Sequence, residues 1–498
     1  MVGEIASRWG KDDLSTARKF TSDVVVRVGF QILNGLKGLA FLPLISRQFG
    51  AEAYAIWSQI YITVTLLTPI VNLRLNDALV RYLGSSEDRA RMLAATATVT
   101  MGVSVLVVVV GWLLRHLLAT VVFADKALSD FAVLLVGMLL VRANMQWVLA
   151  YFRSLSAIRT HTAIQVIQIV GELLVLTVVP VLLGQRLELA IAVIIGVDLS
   201  ILTGAILVIG RREGFSLSPD WSALKRLLQY SFPLIATAGL YWIVNSFDRF
   251  VIVHYRGLED VAVYSGAYRV SQVLKTLVQP LSFVLLPLIS RLWERNKIDT
   301  ALLWMSRSLE VYLVAATPAA IGLIILGPAL SRLLGGEGLA APLQLFAWLV
   351  SGVFIVGIYQ IHVYLVYLHG KTSRLITVFG ITGSFNVAMN LVLVPRMGIM
   401  GAAITTFFSY ALQFVVLLMV NRRHPSIPVN RSRLIRVAAS SLLMGGVVYL
   451  VMRLTSAGIV SLVALGVAVY LGALFLFRGI SRGEIEELLS TLRKGKDA

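Results

Sequence analysis

The feature that most constrains this chain is a series of long apolar runs separated by short polar turns. A run of about 20 apolar residues crosses a hydrocarbon core of about 30 Å as an α-helix. The 498 residues are 58% hydrophobic and 14% charged, well outside the composition of a soluble domain. The ten-residue stretches of alternating apolar and polar residues that mark barrel strands are absent from the sequence. The sequence therefore predicts an all-α polytopic membrane protein.

Fourteen apolar runs are bounded by polar turns, which predicts about 14 transmembrane helices. The predicted spans are 24–46, 54–80, 92–114, 131–152, 163–183, 189–209, 230–253, 262–289, 301–326, 342–368, 375–394, 399–420, 437–452 and 458–477. No loop between these spans is longer than 20 residues. Because a membrane glycan polymerase or ligase usually needs a sizeable loop for its catalytic groups, we expect no enzymatic activity and no catalytic residues.

The distribution of basic residues orients the chain. The tails and the loops on one side of the predicted spans contain 28 of the 44 Lys and Arg residues, whereas the loops on the other side contain 8. Basic loops stay in the cytoplasm, so both termini are expected there. The first 22 residues have no apolar segment with a small-residue cleavage site, and we expect no removable signal peptide. The prediction is a multi-pass protein of the cell membrane, the cytoplasmic or inner membrane.

The same distribution explains the net charge of +18 and the isoelectric point near 10.2. Because most of the excess positive charge lies in the predicted cytoplasmic segments, it favours attraction to anionic membrane lipids over binding of nucleic acid. We therefore expect membrane lipids as partners and no nucleic acid. The chain has no cysteine, which excludes disulfides and thiolate metal sites, and no metal site is predicted.

A weak internal repeat divides the predicted spans. The segment from Gly50 to Ser58 aligns with the segment from Gly257 to Ser265 when the chain is shifted by 207 residues. Because six spans are an even number, the two blocks would start on the same side of the membrane, as parallel repeats do. The predicted domains are a cytoplasmic N-tail (1–22), an N-lobe (23–209), a cytoplasmic linker (210–229), a C-lobe (230–420), two further helices (421–477) and a cytoplasmic C-tail (478–498).

Eight basic residues lie within the predicted spans, where each costs about 2.5–3.5 kcal/mol at a helix centre. They are Arg27, Lys37, Arg74, Arg142, Arg249, Arg269, Lys275 and Arg307. Three have an acid at helical-neighbour spacing, which predicts local ion pairs Arg27–Asp23, Arg74–Asp77 and Arg307–Glu310. Arg249 is near a span end and is expected to snorkel to the interface. Arg142 is expected to pair with Glu172 or Asp198 of neighbouring spans.

The other three cations, Lys37, Arg269 and Lys275, have no acid within four positions and no evident partner. Six of the eight lie on spans 1, 2, 7 and 8, which occupy equivalent places in the two predicted lobes. A cavity between the lobes would collect them and would favour a phosphate-bearing anion. The predicted substrate-binding residues are Arg27, Lys37, Arg74, Arg249, Arg269 and Lys275.

Two segments resemble a known family. In the first, Asn386 and Asn390 are followed by an apolar run, a short turn and Gly398-Ile-Met-Gly401-Ala-Ala. This segment resembles the corresponding region of the polysaccharide flippases of the multidrug/oligosaccharidyl-lipid/polysaccharide exporter superfamily. The segment from Asp248 through Gly257 to Tyr268 is similar to the seventh-to-eighth helix region of that family.

The resemblance implies a V-shaped, two-lobe transporter fold like that of the multidrug exporters, with two additional C-terminal helices. It implies a flippase that moves a polyprenyl-diphosphate-linked oligosaccharide from the cytoplasmic to the external leaflet by alternating access. Such a protein would have a lipid-linked glycan as its substrate, and the resemblance admits glycan assembly proteins as partners. No cofactor is expected beyond coupling to H⁺ or Na⁺, for which Glu172, Asp198, Asp248 and Glu310 are the candidate acids.

Three alternatives remain open from the sequence. A lipid II flippase of the same superfamily would share the 14 spans and the basic cavity. A multidrug exporter of the superfamily is disfavoured because organic cations call for an acidic cavity. A membrane glycan polymerase or ligase, a different class of protein, is disfavoured by the short loops.

Overall fold

A computed structural model describes residues 11–85, 89–214, 221–371, 373–422 and 427–477. All the regular elements in these ranges are helical. Up to the long middle helix they are α1 (Lys11–Phe49), α2 (Ala51–Val71), α3 (Leu75–Tyr82), α4 (Arg89–Leu113), α5 (Arg115–Phe123), α6 (Ser129–Ser154), α7 (Ile158–Leu183), α8 (Leu187–Glu213) and α9 (Trp221–Arg256). The rest are α10 (Leu258–Ser271), α11 (Lys275–Glu294), α12 (Ile298–Gly335), α13 (Leu343–His362), α14 (Tyr364–Leu368), α15 (Arg374–Met397), α16 (Ile399–Asn421), α17 (Arg431–Leu454) and α18 (Ile459–Leu476).

Each of the 14 predicted spans falls on one or two of these helices. Within the described ranges, 13 helical stretches are long and apolar enough to cross a membrane. The remaining predicted span, 24–46, lies in α1, whose apolar sequence is interrupted by Gln31, Asn34 and Lys37. The predicted fold class, an all-α polytopic membrane protein with about 14 spans, is confirmed.

Some helices are broken where the sequence predicted continuity. The predicted span 54–80 is two helices, α2 and α3, because the backbone turns at Leu73 and Arg74, which have φ of 50° and 54°. The side chain of Asn72 accepts a hydrogen bond from the Arg74 backbone N–H at 2.9 Å. This local bond competes with the helical pattern and stabilises the turn. A 3-10 turn, Gln272–Leu274, likewise separates α10 from α11.

The helices form two compact units. The first comprises Met1–Ser265 and Asn390–Gly398. Its central helix is α6, which packs against α2, α3, α4, α5, α7 and α8. Buried side chains of α6, among them Val148 and Tyr151, pack in one core cluster with Leu75 and Leu79 of α3. Helix α9 also packs on α2, where the Trp242 indole donates to the Ile62 carbonyl at 2.8 Å.

The second unit comprises Gly266–Met389 and Ile399–Ala498. Helix α13 packs against α11, α12 and α16. Gly352 of α13 lies against Phe407 and Tyr410 of α16, and Gly401, Ala402 and Ala403 of α16 are buried. On the other side of α12 lie α17 and α18, with Met444 and Tyr470 in a separate apolar cluster. The division assigns α9 to the first unit, whereas the predicted lobes 23–209 and 230–420 are defined by the repeat; those boundaries stay a prediction.

The two turns that suggested the repeat have the same backbone geometry. Gly50 and Gly257 have φ of 96° and 87°, a conformation that favours glycine. The Gly50 N–H donates to the Ser46 carbonyl and the Gly257 N–H to the Val253 carbonyl, both at 3.1 Å. Both acceptors and both donors are therefore 207 positions apart. The glycines are favoured at these turns for the same reason, and the repeat register stays a prediction.

Candidate functional site

The most concentrated group of charges in the first unit is contributed by four different helices. Lys37 lies on α1, Arg142 on α6, Glu172 on α7 and Asp198 on α8. The Lys37 Nζ is 2.6 Å from Glu172 Oε2. The Arg142 Nη2 donates to Glu172 Oε1 and is 3.0 Å from Asp198 Oδ2. We call these four side chains the ionic quartet.

The packing of the helices explains why these charges meet. Helix α7 packs against α1, α6 and α8, and α6 also packs against α8, so the four helices enclose a common volume. Within it the Gln168 amide donates to Asp198 Oδ1 at 3.1 Å. The Lys37 ammonium also lies 5.0 Å from the centre of the Phe41 ring, a favourable cation–π distance. Each buried charge therefore has a partner of opposite sign.

The cations and the acids of the quartet differ in exposure. The side chains of Glu172 and Asp198 are 2% exposed, whereas those of Lys37 and Arg142 are 15% and 25% exposed. The two acids balance the two bases, so the quartet is neutral when all four groups are charged. The small exposed surface of the quartet belongs to the side chains of the two cations.

The quartet confirms one sequence prediction and corrects another. The predicted pairing of Arg142 with Glu172 or Asp198 is confirmed, and Arg142 contacts both. The prediction that Lys37 has no partner is wrong, because Glu172 neutralises it. Lys37 and Glu172 are 135 positions apart, so local spacing could not reveal the pair. Arg142, which was outside the predicted binding set, shares Glu172 with Lys37.

A second cluster in the first unit surrounds Asp248. The Arg249 Nη1 is 2.9 Å from Asp248 Oδ1, and the Tyr264 hydroxyl donates to Asp248 Oδ2. The Arg249 guanidinium also lies 5.3 Å from the Tyr264 ring centre. At 4% exposure Arg249 is buried, so the expectation that it snorkels to an interface is wrong. The carboxylate of the preceding residue offsets its desolvation instead.

Two further predicted cations belong to the first unit. Arg74 forms the expected pair with Asp77, with 2.8 Å between Nε and Oδ2, and both side chains are about one third exposed. Its carbonyl accepts from the Ser231 hydroxyl of α9 at 3.1 Å. The side chain of Arg27 and its predicted pair with Asp23 lie outside the described residues.

The second unit contains the remaining predicted residues. Arg269 and Lys275, both partly buried, flank the 3-10 turn at Gln272–Leu274. Glu310 pairs with Arg433 of α17, with 3.0 Å between Oε2 and Nη1. The expected partner, Arg307, lies instead over the ring of Trp304, 5.6 Å from its centre. The structure thus places Lys37, Arg74 and Arg249 in three different ion pairs, and the shared cavity predicted for them stays a prediction.

Comparison with known proteins finds a matching family, two related sequences and a similar solved structure. A family model described as polysaccharide biosynthesis protein matches residues 20–293. Two relatives come from Haloferax volcanii: a probable low-salt glycan biosynthesis flippase, Agl15, is 23% identical over 51% of this chain and 54% of its own length. A probable flippase, AglR, is 27% identical over 33% of this chain and 35% of its own length. The chain thus spans about half of the length of Agl15 and about a third of the length of AglR.

Among solved structures, the fold is similar to that of the lipid II flippase MurJ in an inward closed conformation. The TM-score is 0.75 over 90% of this chain and 97% of that one, at 16% sequence identity. At this identity the likeness concerns the fold alone.

Proposed function

The chain belongs to the polysaccharide biosynthesis protein family, and on that premise we propose that it is a flippase for a lipid-linked glycan. Its substrate would be a polyprenyl-diphosphate-linked oligosaccharide, moved from the cytoplasmic to the external leaflet by alternating access. Arg27, Lys37, Arg74, Arg249, Arg269 and Lys275 would bind the anionic headgroup. The protein would lie in the cell membrane with both termini in the cytoplasm, and glycan assembly proteins would receive its product.

The observation that carries this proposal is the basic character of the membrane-spanning segments in a chain of this family. Basic residues at span centres are costly, at about 2.5–3.5 kcal/mol each, and persist where they pair with acids or serve a ligand. The ionic quartet exposes its cations and buries its acids. Both acids of the quartet are already paired with bases and are poor sites for an organic cation, whereas lysine and arginine are the usual donors to a diphosphate. An anionic headgroup therefore fits this chain better than the cationic cargo of a multidrug exporter.

Coupling to an ion gradient is a further part of the proposal. Glu172, Asp198, Asp248 and Glu310 each pair with a base, so binding of H⁺ to any of them would weaken a contact that joins two helices or two neighbouring groups. Such a change would bias the helices toward a different packing. H⁺ and Na⁺ both remain candidates for the coupling ion.

Depletion of the protein in its native cell tests the proposed function. If the chain is a flippase, lipid-linked oligosaccharide should accumulate in the cytoplasmic leaflet and surface glycan should fall. The leaflet that holds the intermediates is measured in sealed vesicles. The measured quantity is the fraction of lipid-linked glycan that resists an impermeant glycan-cleaving or oxidising reagent. Externally exposed but unpolymerised units would contradict the proposal and indicate a polymerase or ligase. Accumulation of lipid II alone would assign the chain to the lipid II flippases.

Alanine variants test the headgroup assignment in the same cells. We expect Arg269→Ala and Lys275→Ala to abolish surface glycan with normal amounts of protein in the membrane, because each removes a cation from the predicted binding path. The matched control is Lys126→Ala, which removes an exposed lysine from a turn between α5 and α6. Full glycan display in both variants would overturn the binding role of these two residues.

A further inference from the structure

We infer that Lys37 and Arg142 form a two-cation phosphate-binding site in the first unit and that Glu172 occupies this site as a displaceable carboxylate when no phosphate is bound. The inference rests on the proposed function for the identity of the ligand, the diphosphate of a lipid-linked glycan. It assigns a binding role to Arg142 and makes Glu172 a competitor of the substrate.

The contacts of Glu172 resemble those that a phosphate would make. Its two carboxylate oxygens contact different cations: Oε2 lies 2.6 Å from the Lys37 ammonium, and Oε1 accepts from the Arg142 guanidinium. A phosphate group also presents two or more oxygens to neighbouring donors, and lysine and arginine are its usual protein partners. The site therefore has the charge and the donors that a phosphate needs, with a carboxylate bound to them.

The two cations of the site are more exposed than the carboxylate that they share. Lys37 and Arg142 are 15% and 25% exposed, whereas Glu172 is 2% exposed. A ligand at the exposed surface of the quartet would therefore contact the side chains of Lys37 and Arg142 rather than Glu172.

Arg142 would keep its position when Glu172 releases it. Its Nη2 remains 3.0 Å from Asp198 Oδ2, and the Gln168 amide holds the other oxygen of Asp198 at 3.1 Å. Asp198 is therefore a positioning residue for the guanidinium. Lys37, by contrast, has Glu172 as its carboxylate partner in the quartet. Its ammonium group would exchange the Glu172 carboxylate for the phosphate.

The internal competitor has a physical consequence for transport. Two partly desolvated cations without a counter-charge would hold a diphosphate tightly, because charges interact strongly in a low dielectric. The Glu172 carboxylate would return to the cations as the phosphate leaves. This exchange makes the net free energy of phosphate binding less favourable. A transported ligand must bind well enough to enter and weakly enough to leave, and Glu172 would provide the second condition.

The test measures binding of inorganic pyrophosphate to the purified full chain in phosphatidylcholine nanodiscs by isothermal titration calorimetry. Relative to the unmodified chain, we expect Glu172→Gln to bind pyrophosphate about tenfold more tightly, because the variant lacks the competing charge. Adding Lys37→Ala or Arg142→Ala to that variant should reverse the gain. The matched control, Glu188→Gln, neutralises an exposed acid at the start of α8 and should leave the affinity unchanged.

Equal or weaker binding by folded Glu172→Gln would overturn the inference and would show that the quartet only joins helices. If Glu172→Gln does not fold, Glu172→Asp serves instead, because it keeps the charge but is too short to contact both cations. We expect tighter pyrophosphate binding by this variant as well, and unchanged or weaker binding would again overturn the inference.

A second arm distinguishes a lipid headgroup from a free anion. Polyprenyl diphosphate included in the nanodiscs should displace pyrophosphate from Glu172→Gln, whereas polyprenyl alcohol should not. Failure of the diphosphate lipid to displace it would overturn the assignment to a lipid ligand. These results are independent of the depletion experiment: normal flipping together with unchanged pyrophosphate binding would reject only the inference about Glu172. Glycan display that survives depletion would reject the proposed function itself.

Discussion

At the residue scale, each described basic side chain of the first unit that the sequence placed inside a span is stabilised by an acid. Arg74 uses an acid three positions away and Arg249 the residue before it, whereas Lys37 and Arg142 use acids on other helices. The first two pairs are local in the sequence. The last two form only when α1, α6, α7 and α8 have packed.

Removal of one member of the quartet should therefore be costly. We expect Arg142→Met to lower the free energy of unfolding by about 3–5 kcal/mol, because the buried Asp198 carboxylate then loses its guanidinium partner. The measurement is denaturant or thermal unfolding of the purified protein in detergent. The double variant Arg142→Met, Asp198→Asn has balanced charges again and should recover part of the loss. Unfolding of Arg142→Met at the same midpoint as the unmodified chain would contradict the estimate.

At the scale of elements, small residues decide how closely helices approach. The Tyr312 side chain of α12 lies against Gly357 of α13, and its hydroxyl donates to the Phe354 carbonyl at 3.0 Å. A Cβ at position 357 would come within 2.0 Å of the Tyr312 hydroxyl oxygen. Without a hydrophobic drive between helices in lipid, such close packing is the principal source of association.

We accordingly expect Gly357→Ala to destabilise the protein by about 1–3 kcal/mol, as overpacking of a filled core does. The matched control is Gly322→Ala on α12, where a Cβ would meet nothing within 4 Å. The control should be neutral or slightly stabilising, since alanine favours helix over glycine by about 1 kcal/mol. The thermal midpoint of both variants in the same detergent decides the comparison. A harmless substitution at position 357 would mean that α12 and α13 can separate without loss.

At the scale of the whole molecule, the chain has two compact helical units and a predicted direction in the membrane. Orientation follows from the basic loops, and the assignment of helices to units follows from packing. The lack of cysteine in the sequence makes the orientation directly measurable, because no native thiol has to be removed.

We expect Ser456→Cys to react with an impermeant maleimide in intact cells, because it lies in a predicted external turn and is exposed. Ser222→Cys, exposed at the start of α9 on the predicted cytoplasmic side, should react only after permeabilisation. Surface expression of both variants is the control. Labelling in the opposite pattern would invert the topology and would contradict the cytoplasmic position of both termini.

The sequence identified most residues of the candidate site, but it did not show which of them contact one another. Charges inside apolar runs are conspicuous, so Lys37, Glu172 and Asp198 could be named without a structure. The error over Lys37 arose because its partner is 135 positions away. The error over Arg249 had another origin: depth was inferred from distance to a span end, whereas burial by neighbouring helices decides exposure.

The sequence by itself determined the helical class and the approximate spans, and it predicted the orientation and the turns at Gly50 and Gly257. These properties depend on local quantities: the hydropathy of about 20 consecutive residues, the charge of each loop and the φ angle that glycine permits at Gly50 and Gly257. The tertiary structure alone decided that Lys37 and Arg142 share Glu172, that Glu310 meets Arg433 and that Arg249 is buried. Ion pairs between helices depend on which faces pack together, and that choice is a balance of many contacts distributed over the whole chain.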